Sequence, residues 1–179
     1  MEKATVDRMW LTRTDRIETV IRGATAGSIA GVLFAAFQMV AAVEAGNGAL
    51  WPWRMAASVV LGREALVASA GVALFAGVLV HLLLSVASGV TAAILYEWSQ
   101  WSRTHRANPA LACFAGAGFG ALVWLVNFAV IAQAFVPWMW RPDQGLQLAL
   151  HLGYGVALGL ALRELGRHAM NPPDAARPA

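Results

Sequence analysis

Four stretches of this chain, residues 23–43, 65–96, 107–140 and 145–162, contain no Asp, Glu, Lys or Arg. A helix crosses ~30 Å of hydrocarbon with about 20 apolar residues at 1.5 Å each, so every run is long enough to span a bilayer. A structureless apolar segment cannot persist in lipid, because its backbone amides would have no partners. The sequence therefore predicts an all-α integral membrane protein with four spans. Composition agrees: 13% of the residues are charged and 59% hydrophobic, against roughly 25% charged in an ordinary soluble domain. The first run is longer than the 7–15 residues of a signal-peptide core, so it is expected to be retained.

Orientation follows from the cations. Lys3, Arg8, Arg13, Arg16 and Arg22 precede the first run, Arg103 and Arg106 follow the second, and Arg163, Arg167 and Arg177 follow the fourth; Arg54, Arg63 and Arg141 lie on the other side. The positive-inside rule places both termini in the cytoplasm. The pI near 9.8 is accounted for by cations beside anionic lipid head groups, so no nucleic acid partner is implied. Val6, Trp10, Ile17 and Ile21 share one face of a helix over residues 5–22, which predicts an amphipathic segment on the cytoplasmic surface. Trp51, Trp53, Trp138 and Trp140 mark one interface, and Trp98 and Trp101 the other. The Pro-rich end of the chain predicts a disordered tail. The lone Cys113 excludes an intrachain disulfide.

An internal repeat is the second constraint. HLLLSVASGV at residues 81–90 aligns with HLGYGVALGL at 151–160, matching His81 with His151 and Gly89 with Gly159. The odd-numbered runs align independently: Gly23, Gly27 and Gly31 with Ala112, Gly116 and Gly120, Gln38 with Asn127, and Glu44 with Gln133. Polar residues are scarce in membranes, so these matches weigh most. The chain thus reads as two parallel two-helix repeats, residues 23–98 and 107–165, related by a two-fold axis along the membrane normal. Residues 1–22 form the cytoplasmic segment and 166–179 the tail. The first repeat carries an outer insertion at about 50–70, expected as a short surface helix.

Small residues four apart form stripes along which helices pack closely, here including Gly155 and Gly159 opposite Ala112, Gly116 and Gly120. The expected shape is a four-helix bundle tight at its cytoplasmic end and more open at its outer end. The open half would be lined by Gln38, Asn127, Ser85, Glu44 and Gln133, with Arg54 and Arg141 near the rim.

Two chemistries suit His81 and His151. Each can hydrogen-bond Gln38, Asn127 or a carbonyl and fix helix register. Alternatively, imidazoles from two helices at equal depth could be the axial ligands of a b-type haem, with Arg54 and Arg141 on its propionates. Two histidines supply only half of a tetrahedral metal shell, so no metal site is expected. Ser85 beside His81 lacks an orienting carboxylate, so no catalytic residue is expected. The spaced glycines lack the strand and lysine of a phosphate loop.

The glycine-striped first helix, His81 and the segment WPWRM at Trp51–Met55 resemble small four-span bacterial inner-membrane proteins. The resemblance implies a multi-pass inner-membrane location and brings no activity. The expected function is a non-enzymatic accessory subunit of a larger membrane complex, in contact with lipid and with other subunits or a second copy. The alternatives are a small oligomeric transporter and a haem-binding electron carrier.

Overall fold

The computed structural model describes residues 13–98 and 108–170. Five helices follow one another: α1 (Arg13–Glu44), α2 (Trp51–Leu61), α3 (Ala70–Trp98), α4 (Pro109–Phe135) and α5 (Gln144–Met170). Short 3-10 turns occupy Gly62–Leu66 and Pro137–Trp140, and among the described residues there is no strand. α1, α3, α4 and α5 are each long and apolar enough to cross a membrane. Within their most apolar windows only 33%, 22%, 17% and 33% of residues are buried. Side chains such as Phe75 and Phe114, 76% and 77% exposed, therefore need lipid as their solvent.

Residues 13–22 are the first turns of α1, continuous with the span. The rest of the expected amphipathic segment, with Val6 and Trp10, lies outside the described residues. So do Trp101 and residues 171–179; α5 runs on to Met170, past the expected boundary of the second repeat at residue 165.

Local chemistry sets the helix ends. After α1, Gly46 at φ +77° lets its N–H reach Val43 O at 2.9 Å, and Asn47 N–H reaches Ala42 O at 2.9 Å; this paired closure requires a left-handed residue. Pro52 opens α2 where its missing N–H costs no bond. Asn108 Oδ1 accepts from Ala110 N–H at 2.9 Å ahead of Pro109, and Asp143 Oδ1 accepts from Leu146 N–H at 2.7 Å at the start of α5.

Lipid gives apolar helices no hydrophobic reason to associate, so contact depends on how closely backbones approach. α1 packs on α3 along Gly23 and Gly27: a Cβ on Gly27 would strike the carbonyl oxygen of Ser85, and one on Gly89 that of Gly23. α4 packs on α5 in the same manner, with Gly116 against the carbonyl of Gly155 and Gly159 against that of Ala112. The two pairs meet where α1 lies on α5, through Ala26, Ala30, Tyr154, Leu158 and Leu162. α2 folds back on α3, where Gly77 admits the backbone of Trp53.

A two-fold axis relating the pairs would lay α3 on α4 as α1 lies on α5. The structure instead leaves an apolar crevice of about 300 Å³ there, lined by Ala92, Leu95, Gly116, Gly118 and Phe119. The four spans thus depart from full two-fold arrangement, and α2, packed on α3, has no counterpart on α5.

One ion pair ties α1 to α3 at the end of the bundle where α1 begins and α5 ends. Arg22 Nη2 donates to Glu97 Oε1 at 2.7 Å and to Thr19 Oγ1 at 3.2 Å, with the pair 21% and 15% exposed. Such half-buried pairs fall between the small worth of surface pairs and the large cost of breaking buried ones. Arg22→Met is expected to destabilise the protein by about 1–2 kcal/mol. Unfolding in mixed detergent micelles, where Arg22→Met combined with Glu97→Gln should cost less than Arg22→Met alone, checks this.

Candidate functional site

At the opposite end of the bundle from Arg22, the helices enclose a cavity of about 230 Å³. Its floor is polar. Gln38 on α1 and Gln147 on α5 pair their side-chain amides, Gln38 Nε2 to Gln147 Oε1 at 2.7 Å and Gln147 Nε2 to Gln38 Oε1 at 3.4 Å. His151, one turn beyond Gln147, directs Nδ1 at the Gln147 carbonyl at 2.7 Å. A carbonyl only accepts, so this nitrogen carries the hydrogen; Nε2, 3.4 Å from Asn127 Nδ2, is then the acceptor of the uncharged ring. His81 on α3 directs Nε2 at the Gly31 carbonyl at 2.9 Å, so that nitrogen is protonated too.

The walls are aromatic and mutually engaged. Phe34 stacks parallel to His81, with centroids 6.0 Å apart, and meets His151 edge-on at 4.8 Å. Both imidazoles therefore flank one ring. Trp53 meets His81 at 5.7 Å and Phe128 meets His151 at 5.8 Å, both nearly perpendicular. Met55 and Met139 fill the remaining wall, and the exposed Asn47 and Asp143 stand among the lining residues as polar groups.

Backbone features aim these side chains. Residues 77, 81, 85 and 89 make one face of α3, and 147, 151, 155 and 159 the corresponding face of α5, so the glycine packing that closes one end of each pair fixes where the histidines stand. In α4, Val126–Ala132 is wound as a π-helix. This wider turn carries both Asn127 and Phe128 to the cavity, and such turns are often found at functional sites.

The candidate residues divide into those the fold gathers and those it does not. Gln38, Asn127, His81 and His151 line the cavity. Ser85 is buried beneath it, its Oγ where a Cβ on Gly31 would fall. Glu44 and Gln133 are exposed and outside it, because they lie on other helix faces than Gln38 and Asn127. Arg54 does not stand at the rim: its Nη1 donates to the carbonyls of Leu66 at 2.9 Å and Ala65 at 3.3 Å, pinning the 3-10 turn after α2. Arg141 is exposed and not among the lining residues. Gln147 and Phe34 carry no site signal in the sequence beyond Gln147 lying four residues before His151 on its stripe, whereas Trp53, in a segment that reads as an interfacial anchor or a ligand-binding rim, packs on His81.

These residues do not fit a haem. An axial imidazole needs an unprotonated nitrogen aimed at the iron. His81 Nε2 holds its hydrogen toward Gly31, His151 has a partner at each nitrogen, and Phe34 packs on both rings. Neither arginine is placed for propionates. Among the described residues no three of His, Cys, Asp and Glu converge as a metal shell.

Fold and site together define a class: a multi-pass helical membrane protein with a polar-floored cavity at one end of its bundle. Compared with protein families, curated proteins and solved structures, the chain has no match.

Proposed function

We propose that this chain is a non-enzymatic inner-membrane protein of bacteria, built from a duplicated helix pair, that holds a small ligand in a cavity open to the outer side. Both termini lie in the cytoplasm on this reading. The observation that carries it is the convergence of Gln38, Gln147, Asn127 and the two histidines, from four helices, on one space. Buried polar side chains are costly in a membrane and mark binding sites or pathways. The duplication is supported by Gly27 lying against Ser85 and Gly89 as Gly116 lies against Gly155 and Gly159. A conducting role for a single chain is disfavoured, because the glycine packing brings helix backbones into contact beyond the cavity and makes it blind.

Thiol accessibility tests this reading, in a Cys113→Ser background. Ala56 lines the cavity and Arg167 is exposed near the end of α5. Ala56→Cys should react with a membrane-impermeant reagent in intact cells, and Arg167→Cys only after the membrane is breached. Reaction of Arg167→Cys in intact cells would reverse the orientation. An Ala56→Cys protein inert before and after breaching would mean the cavity is closed.

A second reading, an accessory subunit of a larger membrane complex, is favoured by the crevice between α3 and α4, whose small-residue floor would admit a further helix. Native extraction at the mass of one chain plus detergent, with no co-purifying protein, would end it.

A further inference from the structure

We infer that the ligand is an uncharged, compact molecule with an apolar body and one hydrogen-bonding head, a phenol-like or alcohol-like group. This rests on the proposed reading of the cavity as a binding site. Charge is the first discriminator. Among the described residues no Lys or Arg lines the cavity, so an anion would lose water there without meeting a counter-charge. Asp143, the one lining carboxylate among the described residues, already caps α5 through Leu146 N–H, where the helix N-terminus favours its charge. A cation held by aromatic faces is the next possibility. Here the rings are occupied by one another: Phe34 and Trp53 with His81, Phe34 and Phe128 with His151.

The floor is complementary to a neutral head. The reciprocal bonds between Gln38 and Gln147 use one N–H of each amide, leaving each a second N–H and further lone-pair capacity on its oxygen. A hydroxyl both donates and accepts, so it can answer both kinds of group. Size is the second discriminator. About 230 Å³ is below the ~300–1,000 Å³ of pockets for drug-sized ligands, which suits a single ring or the end of a chain. Fixed amide dipoles in such a site discriminate strongly against analogues that leave them unpaired.

The test is protection of Ala56→Cys, in the Cys113→Ser background, from the impermeant thiol reagent. The probes are 4-ethylphenol, benzoate and phenyltrimethylammonium. 4-Ethylphenol at ten times its Kd should slow labelling about tenfold, by simple occupancy. The charged probes should leave the rate unchanged, and adding Gln147→Leu should abolish protection while labelling without probe persists. 4-Nonylphenol delivered in lipid distinguishes the source: protection by it and not by 4-ethylphenol would retain the ligand class and place its supply in the bilayer. Protection by a charged probe, undiminished protection in Gln147→Leu, or none by either phenol would overturn the inference. Reactivity of Ala56→Cys without probe would in each case leave the outward-open cavity standing, so the two readings fail separately. If Gln147→Leu prevents folding, Gln38→Leu serves in its place.

Discussion

Replacing Gly116 and Gly120 together by valine is expected to abolish the folded protein. At Gly116 a Cβ would fall on the carbonyl oxygen of Gly155, and at Gly120 on that of His151. The obstacles are backbone atoms in the middle of α5, which no rotamer change can move aside. α4 and α5 would have to separate along their length, and close approach is what holds helices together in lipid. Overpacking of a flexible core costs about 1–3 kcal/mol; against rigid backbone at two positions we expect at least about 3 kcal/mol. The measurement is the yield of monodisperse protein after detergent extraction, with unfolding midpoints for any that survives. Gly118→Ala and Gly153→Ala are the controls: nothing lies within 4 Å of a Cβ at either position, so both should behave as the parent. If the double variant were as stable as those controls, the close α4/α5 packing would be wrong.

The second large effect is expected at Gln147. The residue is 7% exposed, and its side-chain amide is the partner of Gln38. Gln147→Leu takes the partner from the half-buried Gln38 amide, and losing such a bond costs about 0.5–1.5 kcal/mol. Gln38→Leu should cost similarly. Removing both amides removes the unpaired group, so the double variant should be more stable than the sum of the two losses implies, by about 1 kcal/mol. His151 is not stranded in either variant, because its Nδ1 bonds the backbone carbonyl of residue 147. A double-mutant cycle in mixed micelles measures the coupling; strict additivity would show that the amides do not pair.

Much of this architecture is legible in the chain because membrane solvent imposes rules that depend on local composition. Runs without charge have to be helices, and small residues spaced by four have to be contact faces, as Gly27 and Gly116 illustrate. The reach of that logic ends where a side chain has two possible partners. Arg54 follows two tryptophans at an expected interface, which reads as a rim cation. It instead caps carbonyls eleven and twelve residues on, because α2 turns back into a 3-10 segment. Arg22 reads as one more cytoplasmic cation, yet it meets Glu97 across 75 residues. The π-helical turn at Val126–Ala132 has no apparent mark in its residues.

By itself the sequence determined the number of apolar helices, the faces along which they approach, and the presence of Gln38, Asn127, His81 and His151 in apolar surroundings. Those properties depend on periodicity and on transfer from water to lipid, which each segment carries alone. Only the tertiary structure decided that α1 lies on α5 while α3 and α4 stand apart, that Gln38 takes Gln147 as its partner, and that both imidazoles flank Phe34 instead of facing each other. Such choices depend on helix rotation and on which of several equally apolar faces meet, and in a chain of alanine, glycine, leucine and valine those differences are settled by packing between segments.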